Sequence, residues 1–550
     1  MAKTHKSKNK DFTLGHRKFG RLLAMLVSCA SLIPLSMNSV TAKEVEAGDL
    51  ILTPDVFLDE ENGIVGIERG LIFVPENRQK EDSRLIAVHF QRIPAISSPK
   101  NPADKKPPIF LLPGGPGSDY KFNRQSRVDY LNLLRQTRDV IAVSQRGNPS
   151  SPGLVPNFGS RYDKPAPLDK PGSVATQSKR MAKAYEQALA GWKGAGVDIE
   201  GYDIINIVDD VNDLRKALGY DKIFLRGCSF GSQWSFSYIK RWPETVEKAM
   251  LSGVEPLDFA YDSSKWLWAS MARLAVQAEA DPDLAPSIPE GGLMKALETV
   301  ITRLNEKPVT VSVVDPRNGG EVDVTLGADD LRLGAVRYFS SFRQGSDLKN
   351  LTVWPHFILD MYEGDYRALG LMALFSRREL TAGILIGPLI DNSLGISDAR
   401  DEQLANEKER DWIDANWFYR STRTVKAAPE VDPSFRDDYE IDTPILLVSG
   451  DWDWSTPIEN AEYIEPFLKM GKLVTVEGAT HCPLGEADQA VAQAPEMVSK
   501  LHEFIDGDFK DDTALASYLD SLPDAITLKP LDFAGRDGMN VYDLMLKSGR

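Results

Sequence analysis

Cysteine is scarce in this chain, three residues in 550, and a protein of that length can bury enough core to fold without a disulfide framework. Positive charge is in deficit as well: 64 Lys and Arg stand against 80 Asp and Glu, for a net charge of −16. That imbalance argues against nucleic acid or an anionic membrane as a partner and leaves the fold open. Internal repeats and long low-complexity tracts are missing, and the length suits one large domain with an insertion, or two to three domains. Histidine numbers only six, so the search for a general base is short.

The N-terminus has its own character. Seven Lys and Arg, from Lys3 to Arg21, precede the apolar stretch "LLAMLVSCASLIPL", and "SVTA" follows with small residues at Thr41 and Ala42. This layout predicts a signal peptide over 1–42, cleaved after Ala42, and a secreted or periplasmic protein. A membrane anchor is the alternative, but Ser28, Ser31 and Pro34 interrupt a run that falls short of the ~20 residues a spanning helix needs, so no stable membrane insertion is expected after cleavage. "LVSC" resembles a lipoprotein cleavage box at Cys29, yet only seven residues separate Arg21 from it and the apolar run continues beyond, which disfavours lipidation. Loss of the leader takes the net charge to −22 and leaves Cys228 and Cys482.

After a Pro- and Lys-rich loop at 97–108, the chain reads as strands alternating with helices. "PPIFLLPGGPG", "DVIAVSQRG", "KIFLRG" and "VEKAMLSGV" are short apolar runs bounded by turn residues, hence buried strands. "DIINIVDDVNDLRKALG" repeats apolar residues at helical spacing, with Asp203 placed to cap it and Gly219 to stop it. Such alternation predicts a mostly parallel sheet covered on both faces. From 259 to 435 the segments turn helical with few clear strands, as an inserted cap would; the strand and helix pattern resumes over 436–510, and 511–550 is an extension without an assigned role. The core therefore comprises 43–258 and 436–510.

One motif carries chemistry. "FLRGCSFGSQWSF" contains Gly-x-Ser-x-Gly between a strand and a helix, the context in which Ser229 is lifted to the apex of a tight turn as a nucleophile. A serine hydroxyl needs a base, and the base a third group to orient it, in the chain order Ser, acid, His. His481, in the loop after "KLVTVEG", meets that order; His5 and His16 lie in the leader, His89 on an early strand, His356 in the cap and His502 within an amphipathic helix. Asp451 and Asp453 compete for the acid in "GDWDWSTP", and the Gly-x-x-Asp-x-x-x-Pro spacing selects Asp453. Oxyanion donors are expected from the amide of Phe230 and from the 113–117 turn "PGGPG", with Gly115 preferred to Gly114.

Taken together, "GGPG", "QRGNPSSPG", "GCSFGSQWSFSYIKRWPETVEKAMLSGVEP", "GDWDWSTP" and "GATHCP" resemble the prolyl iminopeptidase and tripeptidyl aminopeptidase group of α/β-hydrolases, over about residues 67–505. The cap stretch "WPHFILDMYEGDYRAL" is similar to the tripeptidyl aminopeptidase-like branch. The resemblance implies an α/β-hydrolase fold with a helical cap and the triad Ser229, Asp453 and His481. Prolyl iminopeptidases usually carry His-Gly-Gly-Pro-Gly and Asp-Gln-Arg-Gly where this chain has Pro113 and Ser144, so hydrolysis at peptide N-termini transfers without strict proline specificity.

An aminopeptidase has to hold a free ammonium, which in a partly buried site calls for a carboxylate. Glu255, after "EKAMLSGV", is the leading candidate for the amine; a solvated acid at the start of the cap and a support for His481 are its alternatives, and Glu363 and Asp365 in the cap are further candidates. Cys228 and Cys482 each adjoin a triad residue, yet Cys228 reads more simply as a small buried apolar residue than as half of a disulfide. Trp452 and Trp454 read as packing residues. The expectation is a secreted serine aminopeptidase acting on peptides without metal or organic cofactor, with an esterase or small-acyl hydrolase as the alternative and a non-catalytic binding protein as a remote one.

Overall fold

A computed structural model describes residues 45–548 apart from 61–62, 100, 102–104, 121–124, 149–160, 163–164, 334–350, 379, 382–385, 428 and 485–492. The chain divides into Met1–Val45 and Glu46–Arg550, and the expected leader lies outside the described residues. In chain order the strands are β1 (Leu50–Asp59), β2 (Gly63–Pro75), β3 (Leu85–Ile93), β4 (Ile109–Leu112), β5 (Val140–Val143), β6 (Arg161–Tyr162), β7 (Ile223–Cys228), β8 (Val246–Ser252), β9 (Val309–Val314), β10 (Glu321–Leu326), β11 (Leu380–Thr381), β12 (Ile445–Gly450), β13 (Gly471–Glu477) and β14 (Ala525–Thr527).

Ten of them form one sheet in the order β1-β2-β3-β5-β4-β7-β8-β12-β13-β14. The pairs from β1 to β5 through β2 and β3 are antiparallel, and the remaining pairs are parallel. Every residue of β4, β5, β7 and β12 is buried, which is why these strands read as unbroken apolar runs: helices cover both faces. The helix Ile204–Ala217 lies against the sheet with Ile204, Ile207, Val208, Val211 and Leu214 inward, and Asp203 caps it by accepting from the Asn206 amide at 2.6 Å.

Strands β1 and β14 extend the sheet at its two edges. β1 adds one edge, where Pro54 is tolerated because an edge strand can spare an amide. β14 adds the other, paired to β13 by three residues of the extension.

The insertion between β8 and β12 has its own apolar core, built on Leu267, Met271, Leu297, Trp354, Phe357 and Leu369. It is not purely helical. β9 and β10 form an antiparallel hairpin whose Val313, Val324 and Leu326 face that core, and its alternating pattern is the strand signal that the reading of a helical cap passed over. Trp452 and Trp454 are buried in the same cluster, Trp454 edge-on to Trp354 at 5.3 Å, so they pack the cap against the core.

The C-terminal extension acquires a role. Beyond β14, Leu531, Phe533, Val541, Tyr542 and Met545 enter the cap's core. The Val541 amide donates to Asp360 at 2.9 Å, Arg536 pairs with Asp360 at 2.8 Å and with Glu363 at 2.7 Å, and Asn540 donates to Asp365 at 3.0 Å. The segment thus straps the sheet edge to the cap. Glu363 and Asp365, the further candidates for the amine, are its partners on the cap.

Candidate active site

β7 ends at Cys228 and the helix Phe230–Arg241 begins two residues later, so Ser229 makes the turn alone. Its φ of 59° lies in the region that residues with a Cβ seldom adopt. Strand and helix close this tightly because the flanking glycines lack side chains: a Cβ on Gly227 would lie 2.2 Å from the Gly231 carbonyl oxygen, and one on Gly231 2.1 Å from that of Leu112. The Ser229 amide donates to the Ser252 carbonyl at 3.0 Å, tying the turn to the end of β8.

Asp453 follows β12 and His481 follows β13, so the parallel sheet delivers both to the edge where Ser229 stands. The His481 Nδ1 to Asp453 Oδ2 distance is 2.8 Å. Asp453 is fully buried, and its Oδ1 accepts the amides of Ser455 at 2.8 Å and Thr456 at 2.9 Å. Thr456 Oγ1 bridges the pair, 2.6 Å from Asp453 Oδ2 and 3.1 Å from His481 Nδ1. Burial alone would raise the Asp453 carboxyl, but the His481 charge and these hydrogen bonds hold it below the usual carboxylate range. Asp451 does different work: its carboxylate accepts the Gly478 amide at 2.7 Å and its carbonyl accepts from Arg273 at 2.7 Å.

The 113–117 turn presses on Ser229. A Cβ on Gly114 would lie 3.0 Å from that of Ser229. Buried Gln145 holds the turn by donating to the Pro113 and Gly114 carbonyls at 3.3 Å and accepting from the Gly117 amide; Asn148 donates to the Gly117 carbonyl at 2.9 Å. The next residue, Arg146, is fixed by paired hydrogen bonds of 2.7 and 2.6 Å to buried Asp210. This stretch therefore shapes the 113–117 turn, and Ser144 donates to Asp119 at 2.6 Å.

Ser229 Oγ donates to Glu255 Oε1 at 3.3 Å. Desolvation pushes the Glu255 carboxyl well above the usual range, and the charges of Asp262 and Asp391 push it the same way. Asp391 is itself buried and shifted upward by desolvation and by Asp262. Of these three carboxyl groups, Glu255 is the one that touches Ser229.

Cys228 and Cys482 form a disulfide with Cα atoms 6.0 Å apart across 254 residues of sequence, correcting the expectation that Cys228 is a lone apolar residue. The bond joins the residue before Ser229 to the residue after His481. An imidazole nitrogen of His481 and both sulfurs lie within 4.8 Å of one another, which places the ring beside the turn. Of the other histidines, His89 meets Ser144 Oγ at 3.2 Å, His356 is buried within the cap and His502 lies on the helix Pro495–Asp506.

Residues 107–288 match a family described as alpha/beta hydrolase fold, and the chain has that fold. Residues 413–497 match the family described as TAP-like protein. The chain is thus similar to the tripeptidyl aminopeptidase-like group of α/β-hydrolases. It is 25% identical over 199 residues to the serine protease Hip1 of Mycobacterium tuberculosis and of Mycobacterium bovis, covering 34% of this chain and 36% of the relative. The chain thus spans about a third of the length of the curated relatives it matches. Among solved structures, a serine hydrolase from Cycloclasticus zankles is 16% identical with a TM-score of 0.32, covering 80% of this chain and 100% of that one. A 2-hydroxy-6-oxo-6-phenylhexa-2,4-dienoate hydrolase from Rhodococcus sp. strain RHA1 is 14% identical with a TM-score of 0.31, covering 81% and 99%.

Thr456, Gln145, Asp262 and Asp391 escaped the sequence reading. Thr456 and Gln145 sit inside quoted motifs, three residues after Asp453 and one before Arg146, but nothing in those motifs separates a positioning side chain from a turn residue. Asp262 and Asp391 lie 129 residues apart in the insertion, and no local pattern links them.

Because the disulfide ties the loops of Ser229 and His481 together, full reduction is expected to lower kcat by about ten- to a hundredfold with a smaller change in KM, as small misplacements of reacting groups do. Steady-state kinetics before and after dithiothreitol, with free thiols counted, provides the check; an unchanged kcat in reduced protein would show that packing alone sets the geometry.

Proposed function

We propose that the protein is a secreted or periplasmic serine aminopeptidase. The single observation that carries the reading is the Glu255 carboxyl 3.3 Å from Ser229 Oγ: an ammonium beside the scissile carbonyl is what such a group accepts. Ser229 attacks the carbonyl and His481 takes its proton, while Asp453 holds the ring and stabilises the imidazolium. The Phe230 and Gly115 amides receive the oxyanion. His481 then protonates the departing amine, and water releases the acyl group by the same route. None of these steps calls for a metal or an organic cofactor.

Similarity to a serine protease supports peptide bonds as the target. The layout of residues 1–42 and a disulfide beside the active site support an oxidising compartment. N-acetylation of an aminoacyl amide removes the cation and is expected to lower kcat/KM by about a hundredfold. Free and acetylated aminoacyl amides, compared beside short-chain esters, test the reading; equal rates on the two amides would overturn it in favour of an esterase or general acyl hydrolase.

A further inference from the structure

We infer that Glu255 sets the length of the released fragment at a single residue, so that the protein removes one amino acid at a time from peptides bearing a free N-terminus. The inference rests on the aminopeptidase reading above and is decided by distance. Ser229 Oγ and Glu255 Oε1 are 3.3 Å apart. A carbonyl carbon poised for attack stands about 3–3.5 Å from the nucleophile. Bond lengths place the α-nitrogen of that same residue about 2.5 Å from its carbonyl carbon. A charged hydrogen bond of about 2.8 Å then closes the ring of atoms onto Glu255.

A longer fragment does not fit this ring. Each extra extended residue adds about 3.3–3.6 Å, so the ammonium of a tripeptidyl fragment stands about 9 Å from the scissile carbon. Nor is Glu255 free to retreat by that amount. Its amide donates to Ser232 Oγ at 2.9 Å, and that hydroxyl donates to the carbonyl of Ser229 itself at 2.7 Å. The flanking carbonyls of Val254 and Pro256 accept from Asn460 at 3.0 Å and Gln233 at 2.9 Å. Ruler and nucleophile are therefore mounted on one rigid frame, the N-terminus of the helix Phe230–Arg241.

The geometry also couples binding to chemistry. An arriving ammonium takes the place of the Ser229 hydroxyl as donor to Glu255 Oε1, releasing that hydroxyl toward the base. Hydrolysis breaks the first peptide bond, adds one water and yields one free amino acid and a peptide shorter by one residue.

The test is an unblocked hexapeptide of six different residues, followed by mass spectrometry from the earliest turnover, beside aminoacyl and tripeptidyl coumarin amides. The expected result is the first amino acid alone as the initial product, with coumarin released faster from the aminoacyl amide. An intact dipeptide or tripeptide as the initial product overturns the single-residue ruler and leaves the aminopeptidase reading standing. Equal cleavage of N-acetylated and free substrates overturns that reading itself, and the ruler with it. In Glu255→Gln the ratio of kcat/KM for free over N-acetylated aminoacyl amide is expected to fall about tenfold or more; retention of the full ratio in a variant that still reacts with a fluorophosphonate probe overturns the role of Glu255.

Discussion

Ser229→Ala is expected to reduce kcat by about a millionfold and to abolish labelling by a fluorophosphonate probe, while leaving the thermal midpoint within a few degrees of the parent. Removal of the nucleophile from such a triad leaves only what the oxyanion donors and substrate binding contribute. The nearby Ser232 is no substitute, because its hydroxyl is committed to the Ser229 carbonyl at 2.7 Å and the Gly253 carbonyl at 3.2 Å. Alanine fills the same space at φ 59°, so the strain of the turn remains and stability changes little. Residual turnover near the parental rate would mean that another group attacks the substrate, and would remove the basis for the mechanism.

The second large effect separates two aspartates two residues apart. Asp453→Asn is expected to lower kcat by about 10⁴-fold, since an amide facing His481 Nδ1 favours the wrong tautomer of the base. Asp451→Asn is expected to stay within about threefold of the parent, because an amide oxygen can still accept from Gly478. The two also differ in pH response. The Asp453 carboxyl is held below its ordinary value, so its contribution to stability is complete above the unfolded value near 3.8 and disappears only as pH falls through the lower folded value. Asp451 goes the other way: burial pushes it up to about 6, so ionisation in the folded state costs stability as pH rises from about 4 through 6. Melting curves should therefore show Asp451→Asn gaining on the parent across that interval. Kinetics of both variants checks the assignment of the acid; comparable losses would return Asp451 to contention.

Much of this was legible in one dimension because it is locally encoded. The buried parallel strands announce themselves as apolar runs, and the Ile204–Ala217 helix by its spacing and its Asp203 cap. Edges were harder to read: β1 carries a proline, and β14 is three residues long. The hairpin of β9 and β10 was masked by the helices around it, although its alternation is visible in "VTVSVV" and "EVDVTL". Cysteine pairing had no local signal at all, with 254 residues between the partners.

The sequence by itself determined the chain order of Ser229, Asp453 and His481, and the strand and helix frame that carries them, since short-range spacing and burial patterns are enough for both. Only the tertiary structure decided that Cys228 and Cys482 pair, that Thr456 bridges acid and base, that residues 531–545 strap the cap, and that Glu255 stands 3.3 Å from Ser229 Oγ. These contacts join segments remote along the chain, and their side chains converge only once the sheet has brought the strand ends together.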